Sequence, residues 1–173
     1  MELIFLKENL LILGAGGHGR VVKETADAMD CFARIDFLDD NSEIAIGKCI
    51  NYRMFVNKYT YAFIALGNNE LRMKWYKELT KVGFQIPFLV DPTAYISPSA
   101  NIAAGSIVCA KAVVNTNVRI EKGCIISIGA LIDHDCIIGE YSHINTGAII
   151  KANSKLERLQ MLDSGRVYAN KMQ

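Results

Sequence analysis

The chain has 173 residues, 51% of them hydrophobic, enough to bury a core in one large domain or two small ones. With 19 Lys and Arg against 18 Asp and Glu, the formal charge of +1 supplies no field to gather nucleic acid or an anionic membrane. The apolar start, Met1 to Leu13, is broken by Lys7, Glu8 and Asn9 and lacks a cleavage site, and no apolar run reaches the roughly 18 residues of a membrane span, so a cytoplasmic protein is expected.

An apolar strand, Asn9 to Leu13, leads into Gly14-Ala15-Gly16-Gly17-His18-Gly19, after which Val21, Val22, Thr25, Ala26 and Met29 follow at helical spacing. A second strand, Ala33 to Leu38, ends at Asp39-Asp40-Asn41, and a third, Tyr61 to Leu66, ends at Gly67-Asn68-Asn69. Asn68 or Asn69 caps the next helix, in which Leu71, Trp75, Leu79 and Val82 form the apolar stripe and Arg72, Lys74, Lys77, Glu78 and Lys81 face outward. A fourth strand, Ile86 to Val90, closes a small Rossmann-like α/β domain of residues 1–91 before Asp91-Pro92. In a parallel sheet the carboxyl ends of the strands share one edge, so the Gly-rich turn, Asp39-Asp40 and Gly67-Asn68 are expected to converge. Glycines let backbone N–H groups approach a phosphate, and the helix that follows presents its positive end there. The same spacing, with an acid about twenty residues on, also fits a dinucleotide fingerprint. An NAD-dependent oxidoreductase is disfavoured because the rest of the chain holds no second α/β half. The plainer role for these glycines is to turn the chain.

From Tyr95 an aliphatic residue recurs every six positions: Ile96, Ile102, Val108, Val114, Ile120, Ile126, Ile132, Ile138, Ile144, Ile150, Leu156 and Leu162. Two residues before each stands a mostly small side chain, from Ala94 and Ala100 through Cys124, Ala130 and Cys136 to Ser154. A period of six excludes a helical stripe and fits a parallel β-helix in which three hexads complete a coil. Ile96 to Ile150 spans about three coils, and because Gln160 breaks the small register the prism is expected to fray or change form there, giving the domain of residues 92–173 an atypical C-terminal end. Such a short solenoid exposes apolar surface, most simply buried in a closed trimer. The five cysteines form no CxxC and no metal-ligand pair, so reduced thiols and no metal are expected.

His134 and His143 lie in the repeat outside the aliphatic register. Two residues past inward Ile132, His134 projects from the prism, flanked by Asp133 and Asp135, and a carboxylate beside an imidazole fixes its tautomer and raises its basicity. A surface histidine with acidic neighbours is the alternative reading.

Three stretches, Leu13-Gly14-Ala15-Gly16-Gly17-His18-Gly19, Phe37-Leu38-Asp39-Asp40 with Ile64-Ala65-Leu66-Gly67-Asn68-Asn69-Glu70, and Asp133-His134-Asp135-Cys136-Ile137-Ile138-Gly139-Glu140-Tyr141-Ser142-His143, resemble the sugar O- and N-acyltransferases, a family that includes the UDP-amino-sugar N-acetyltransferases of bacillosamine-type pathways and the sialic acid O-acetyltransferases. The resemblance implies a left-handed β-helix and a homotrimer that binds a nucleotide sugar in the first domain and acetyl-CoA between adjacent β-helices. It implies that Gly16, Gly17 and His18 contact the uridine diphosphate region with Asp39, Asp40 and Gly67 beside them, that His134 is the general base, that Asp135 raises its basicity, and that His143 contacts the coenzyme. Ser127 stands where an asparagine is frequent in the sugar N-acetyltransferases. N-acetylation of a nucleotide-linked amino sugar, O-acetylation of a sugar of the sialic acid type, and nucleotide-sugar binding without turnover therefore all stay open.

Overall fold

A computed structural model describes residues 7–170. Strand β1 (Glu8–Leu13) lies at the centre of a parallel sheet between β2 (Phe32–Leu38) and β3 (Tyr61–Ile64). Leu10 and Ile12 pack with Val22 and Ala26 of helix α1 (Gly17–Met29), whereas Leu11 and Leu13 pack with Leu79 of helix α2 (Asn69–Lys81). A parallel strand covered on both faces needs a continuous apolar run, which Leu10-Leu11-Ile12-Leu13 supplies.

Two expectations for this half fail. Ile86 to Val90 adds no fourth strand to the sheet: Gln85 makes one bridge to Tyr61, Pro87 has no N–H to continue it, and Leu89–Val90 pairs instead with Ile107–Val108 of the solenoid. In α2 the outward and inward assignments of two residues are reversed, with Leu71 42% exposed and Arg72 only 1% exposed. The helix starts against the second half of the chain, where backbone carbonyls offer the guanidinium acceptors.

From Leu89 to Tyr168 the chain winds as a parallel solenoid of two-residue strands, each inner one pairing with the strands eighteen residues before and after it and the end ones with a single neighbour. Three sheets form its faces. The first runs from Leu89–Val90 to Met161–Leu162, the second from Tyr95–Ile96 to Val167–Tyr168, and the third from Asn101–Ile102 to Lys155–Leu156, with five, five and four strands. The hexad aliphatics from Val108 to Leu162 fill the interior. The small residues two positions earlier do more than clear a corner: Ser106 Oγ, Cys124 Sγ, Cys136 Sγ and Ser142 Oγ each donate to the carbonyl fifteen residues on.

A third register accompanies these two. Gly105, Lys111, Asn117, Gly123, Gly129, Asp135, Tyr141, Gly147, Asn153, Leu159 and Gly165, six apart throughout, all have φ between 57° and 75°. These are the corners, and the left-handed backbone explains why Gly, Asn or Asp occupies most of them.

The prism does not fray at Gln160. His143 N donates to Gln160 O (2.8 Å), Asn145 N to Leu162 O (3.0 Å) and Ile149 N to Arg166 O (2.8 Å), so backbone pairing carries the fold through Val167–Tyr168 although the small register has lapsed. The solenoid is therefore longer than the three coils read from the sequence.

The outward residues differ by face. On the first, Leu89, Ile107 and Ile125 are buried with α1 side chains beneath the N-terminal half. On the second, Tyr95, Val113, Leu131, Ile149 and Val167 form an apolar ladder that no element among the described residues covers, Tyr95 being 56% and Leu131 41% exposed. The third presents Asn101, Arg119, Ile137 and Lys155.

Candidate active site

The three strand ends of the N-terminal half meet as expected. Gly14 N donates to Leu38 O and Ala65 N to Leu13 O, each at 2.8 Å, which fastens the Gly-rich turn to both neighbouring strand ends. Asp39 ties the turn further: Oδ2 accepts from Ala15 N and Oδ1 from Asn41 N, both at 2.8 Å. These backbone donors hold its carboxyl below the usual range, Ala15 N–H first. Asp40, exposed, accepts from Cys49 N (3.0 Å). Both acids thus shape the loops around the turn.

The glycines of the turn divide by what surrounds them. A Cβ on Gly19 would lie 2.0 Å from Gly14 O, so that glycine is required by the close approach of turn and helix. Around Gly16, Gly17 and Gly67 no atom of the described residues beyond the adjoining backbone lies within 4 Å of such a Cβ, and all three are exposed. Those three face open space that a ligand can fill. Gly16 caps α1 without a side-chain hydrogen bond and the first turn carries no acid, so the helix presents free N–H groups and its positive end to that space. Beside Asp40 a groove of about 540 Å³ is lined by Ile50, Tyr52, Arg53, Leu71, Lys74, Trp75 and Glu78.

His18 leaves α1 toward the first face of the prism and meets His143 there, the two ring centroids 6.4 Å apart. His143 Nε2 lies 3.0 Å from Ser127 Oγ, whereas His18 Nε2 and His143 Nδ1 are buried without a hydrogen-bond partner among the described residues. Burial, with the nearby Arg72 charge second, lowers both histidines to a pKa of about 4, so both are neutral at physiological pH. The family resemblance assigned His18 and His143 to different ligands. The fold puts them side by side, a contact across more than a hundred residues that no local pattern announces.

His134 sits elsewhere. It follows the second-face strand Leu131–Ile132 and precedes the third-face strand Ile137–Ile138, so it occupies the corner opposite the first face that carries His143. Its Nδ1 lies 2.8 Å from Asp135 Oδ2, and its backbone N donates to Asp133 Oδ1 at 2.8 Å. Each flanking carboxylate is held from one coil back, Asp135 by Asn117 Nδ2 (3.0 Å) and Asp133 by Asn115 Nδ2 (3.1 Å). The hydrogen bond to Asp135 raises the pKa of His134, and both carboxylates add to the effect. With Nδ1 engaged, Nε2 is the nitrogen free to take a proton. Val113, Asn115, Leu131, Asp133 and Ile149 line a shallow apolar groove of about 250 Å³ beside it on the second face. Within one chain, then, the residues singled out in the sequence form two groups on opposite sides of the prism, Gly16, Gly17, His18, Asp39, Asp40, Gly67 and His143 on one and His134 with Asp135 on the other.

Among the described residues no three His, Cys, Asp or Glu side chains gather as a metal cluster, and no helix is long and apolar enough to cross a membrane.

Known proteins resemble both halves. The family model of the PglD N-terminal domain matches residues 9–79. The UDP-N-acetylbacillosamine N-acetyltransferase of Bacillus subtilis (strain 168) is 30% identical over 112 residues, which cover 60% of this chain and 52% of that protein, so the match spans about half the length of that relative. The acetyltransferase domain of PglB from Neisseria gonorrhoeae FA1090 superposes with a TM-score of 0.89 at 33% identity, over 92% of this chain and 82% of that one. The same domain in complex with acetyl coenzyme A gives a TM-score of 0.85 at 34% identity, over 93% and 82%. PerB from Caulobacter crescentus, in complex with CoA and GDP-perosamine, gives 0.81 at 25% identity, over 95% and 90%.

Proposed function

This chain belongs to the sugar acyltransferases built on a left-handed parallel β-helix, and from that premise we propose that it transfers an acetyl group from acetyl-CoA to the amine of a nucleotide-linked amino sugar, in a homotrimer whose active sites lie between adjacent chains. The observation that carries the proposal is the placement of His134 at the prism corner opposite His18 and His143. A base on one side of the prism and a sugar cradle on the other meet only when a second copy turns its corner toward the first. The uncovered ladder Tyr95, Val113, Leu131, Ile149 and Val167, next to His134, is the apolar surface on which copies pack.

In this reading labour divides between residues 1–91, which hold the nucleotide sugar, and residues 92–173, which carry acyl transfer, with the solenoid's first strand, Leu89–Val90, falling before that division. The diphosphate lies over Gly16 and Gly17 at the start of α1, with His18 beside it and Asp39, Asp40 and Gly67 around it. The groove beside Asp40 is large enough for the nucleoside. His143, steadied by Ser127, contacts the coenzyme. Relatives bound to acetyl coenzyme A, and to CoA with GDP-perosamine, support these ligand classes.

The step follows from the tautomer that Asp135 fixes. The amine, arriving without its extra proton, attacks the thioester carbonyl. His134 Nε2 takes the proton that the nitrogen must lose, and a backbone N–H of the coil bears the oxyanion until the carbonyl reforms and coenzyme A departs as thiolate. Asp135 stabilises the imidazolium so formed. No step calls for a metal. All five cysteines are free thiols, which suits a cytoplasmic enzyme. A sugar hydroxyl needs the same base, and Ser127 in place of the asparagine frequent in N-acetyltransferases keeps O-acetylation as the second reading.

The test is thiol release from acetyl-CoA with a panel of UDP-amino sugars, GDP-amino sugars and sialic acids. His134→Ala is expected to lower kcat by about 10² to 10⁴ with the fold intact, the usual share of a general base. Mixed assemblies of His134→Ala and His18→Ala chains are expected to regain part of the turnover that each lacks alone. Absence of that recovery, with mixing verified by mass, would place each site within one chain and defeat the proposal.

A further inference from the structure

Arg72 is a buried cation, 1% exposed, held wholly by neutral groups. Its Nε donates to Gly123 O (2.7 Å), its Nη1 to Leu66 O (2.9 Å) and Gly67 O (3.3 Å), and its Nη2 to Tyr141 O (2.8 Å) and Asn69 Oδ1 (2.8 Å). A guanidinium has five N–H donors, and each finds an acceptor. No carboxylate is among them, so this is a connector between backbone segments and not an ion pair. Asn69 continues the connection, its Nδ2 donating to Leu159 O (3.0 Å) and Gln160 O (3.2 Å).

The segments connected are informative. Gly123, Tyr141 and Leu159 are successive turns of one prism corner, eighteen residues apart, between the third and first faces. Tyr141 and Leu159 are also bulky residues in the left-handed region, an unfavourable place for such side chains, and both have their carbonyls taken by α2. The Tyr141 ring spans the Gly123 corner, where a Cβ would meet it at 2.3 Å, and packs edge-on against Tyr76 of α2. On the other side of the guanidinium, Leu66 and Gly67 form the edge of the sugar-nucleotide cradle, against which the Gly14 turn backs.

We propose that Arg72 is a positioning residue for acyl transfer: it pins the Leu66–Gly67 edge of the cradle to the Gly123 and Tyr141 corners and so sets where the acceptor amine lies relative to the prism. The proposal rests on the reading of residues 1–91 as the nucleotide-sugar-binding part. Lysine cannot take over the role, because an ammonium presents three donors from one atom and lacks the planar fork that spans both segments. A bound acceptor displaced by about 1 Å loses on the order of a hundredfold in rate.

The experiment uses the full chain as wild type, Arg72→Lys and Asn69→Ala, the last keeping the four carbonyl bonds of the guanidinium. Assembly is checked by light scattering, UDP affinity by calorimetry, interdomain order by amide hydrogen exchange, and transfer by steady-state kinetics. For Arg72→Lys, UDP affinity and the KM for acetyl-CoA are expected within about twofold of wild type while kcat falls on the order of a hundredfold. Amides at 66–72 and at the 123 and 141 corners are expected to exchange faster. Asn69→Ala is expected to move the same readouts less. If the folded Arg72→Lys chain turns over at the wild-type rate, or loses UDP affinity in proportion to kcat, the positioning role is wrong. Should that variant not fold, Asn69→Ala decides, and wild-type kcat and exchange in it overturn the proposal. A wild-type chain that acetylates no sugar nucleotide sinks the functional reading itself, an outcome distinct from an active wild type with a kinetically silent Arg72→Lys.

Discussion

His134 Nδ1 lies 2.8 Å from Asp135 Oδ2 at a prism corner where Asp135 adopts φ 57°. Asp135 thus serves two needs at once: a residue type that tolerates the left-handed turn and a carboxylate beside the imidazole. Because asparagine tolerates the same backbone, Asp135→Asn removes the charge and leaves the corner.

That substitution has a pH signature. As the proposed base His134 acts when neutral, and its pKa is raised by Asp135, so activity is expected to climb as pH rises through the raised value. In Asp135→Asn the pKa drops and the acidic limb of kcat/KM moves to lower pH, while the plateau falls by about tenfold or more because the imidazolium loses its stabiliser. An unshifted limb would take Asp135 out of the mechanism.

Glycines at the strand ends are expected to separate ligand space from folding. Gly17→Ala and Gly67→Ala place a methyl where no protein atom lies within 4 Å, so Tm is expected to change by no more than about 2 °C while UDP binding weakens by about tenfold. Gly19→Ala puts a methyl 2.0 Å from Gly14 O and is expected to cost about 1–3 kcal/mol or more in stability. Thermal melts with and without UDP distinguish the two classes.

The buried pair His18 and His143 is expected to make the fold acid-sensitive. Both pKa values fall from 6.5 to about 4, so the unfolded chain binds protons that the native chain refuses in that interval. Stability from this source is complete above about pH 6.5 and is lost as pH drops toward 4. Replacing His143 with Asn is expected to flatten the decline in Tm between those limits, each kcal/mol being worth about 2–4 °C. An unchanged slope would take His143 out of the acid dependence of stability.

The second face is tested by Leu131→Lys. A charge in the middle of the apolar ladder is expected to yield a folded monomer by light scattering, with loss of turnover. A fully assembled, active variant would place the contact between copies elsewhere.

Much of this architecture was legible because it repeats. The inward aliphatics at period six announced the solenoid, and the apolar run Leu10 to Leu13 announced a strand, though not its central place in the sheet. The corner register was equally available, since Gly, Asn or Asp fills eight of its eleven positions from Gly105 to Gly165, yet Lys111, Tyr141 and Leu159 mask it. What stayed hidden depends on contacts between the halves. Arg72 reads as a surface residue by helical spacing because the spacing of α2 contains no record of the carbonyls that receive it. His18 meeting His143 is hidden for the same reason. Gln160 misled in the opposite direction, a lapse in side-chain pattern that the backbone ladder tolerates.

The eighteen-residue interval between Gly123, Tyr141 and Leu159 also restricts how the gene for such a chain can change length. Six residues inserted after Gly123 would keep aliphatics inside but rotate Tyr141 and Leu159 one face away from Arg72 and Asn69. Eighteen would restore both the interior and the anchor, lengthening the wall by one storey. Growth or shrinkage of this part of the solenoid, other than by loops extruded whole at a corner, is therefore quantised in single storeys, with the footing of α2 on the corners acting as the ruler.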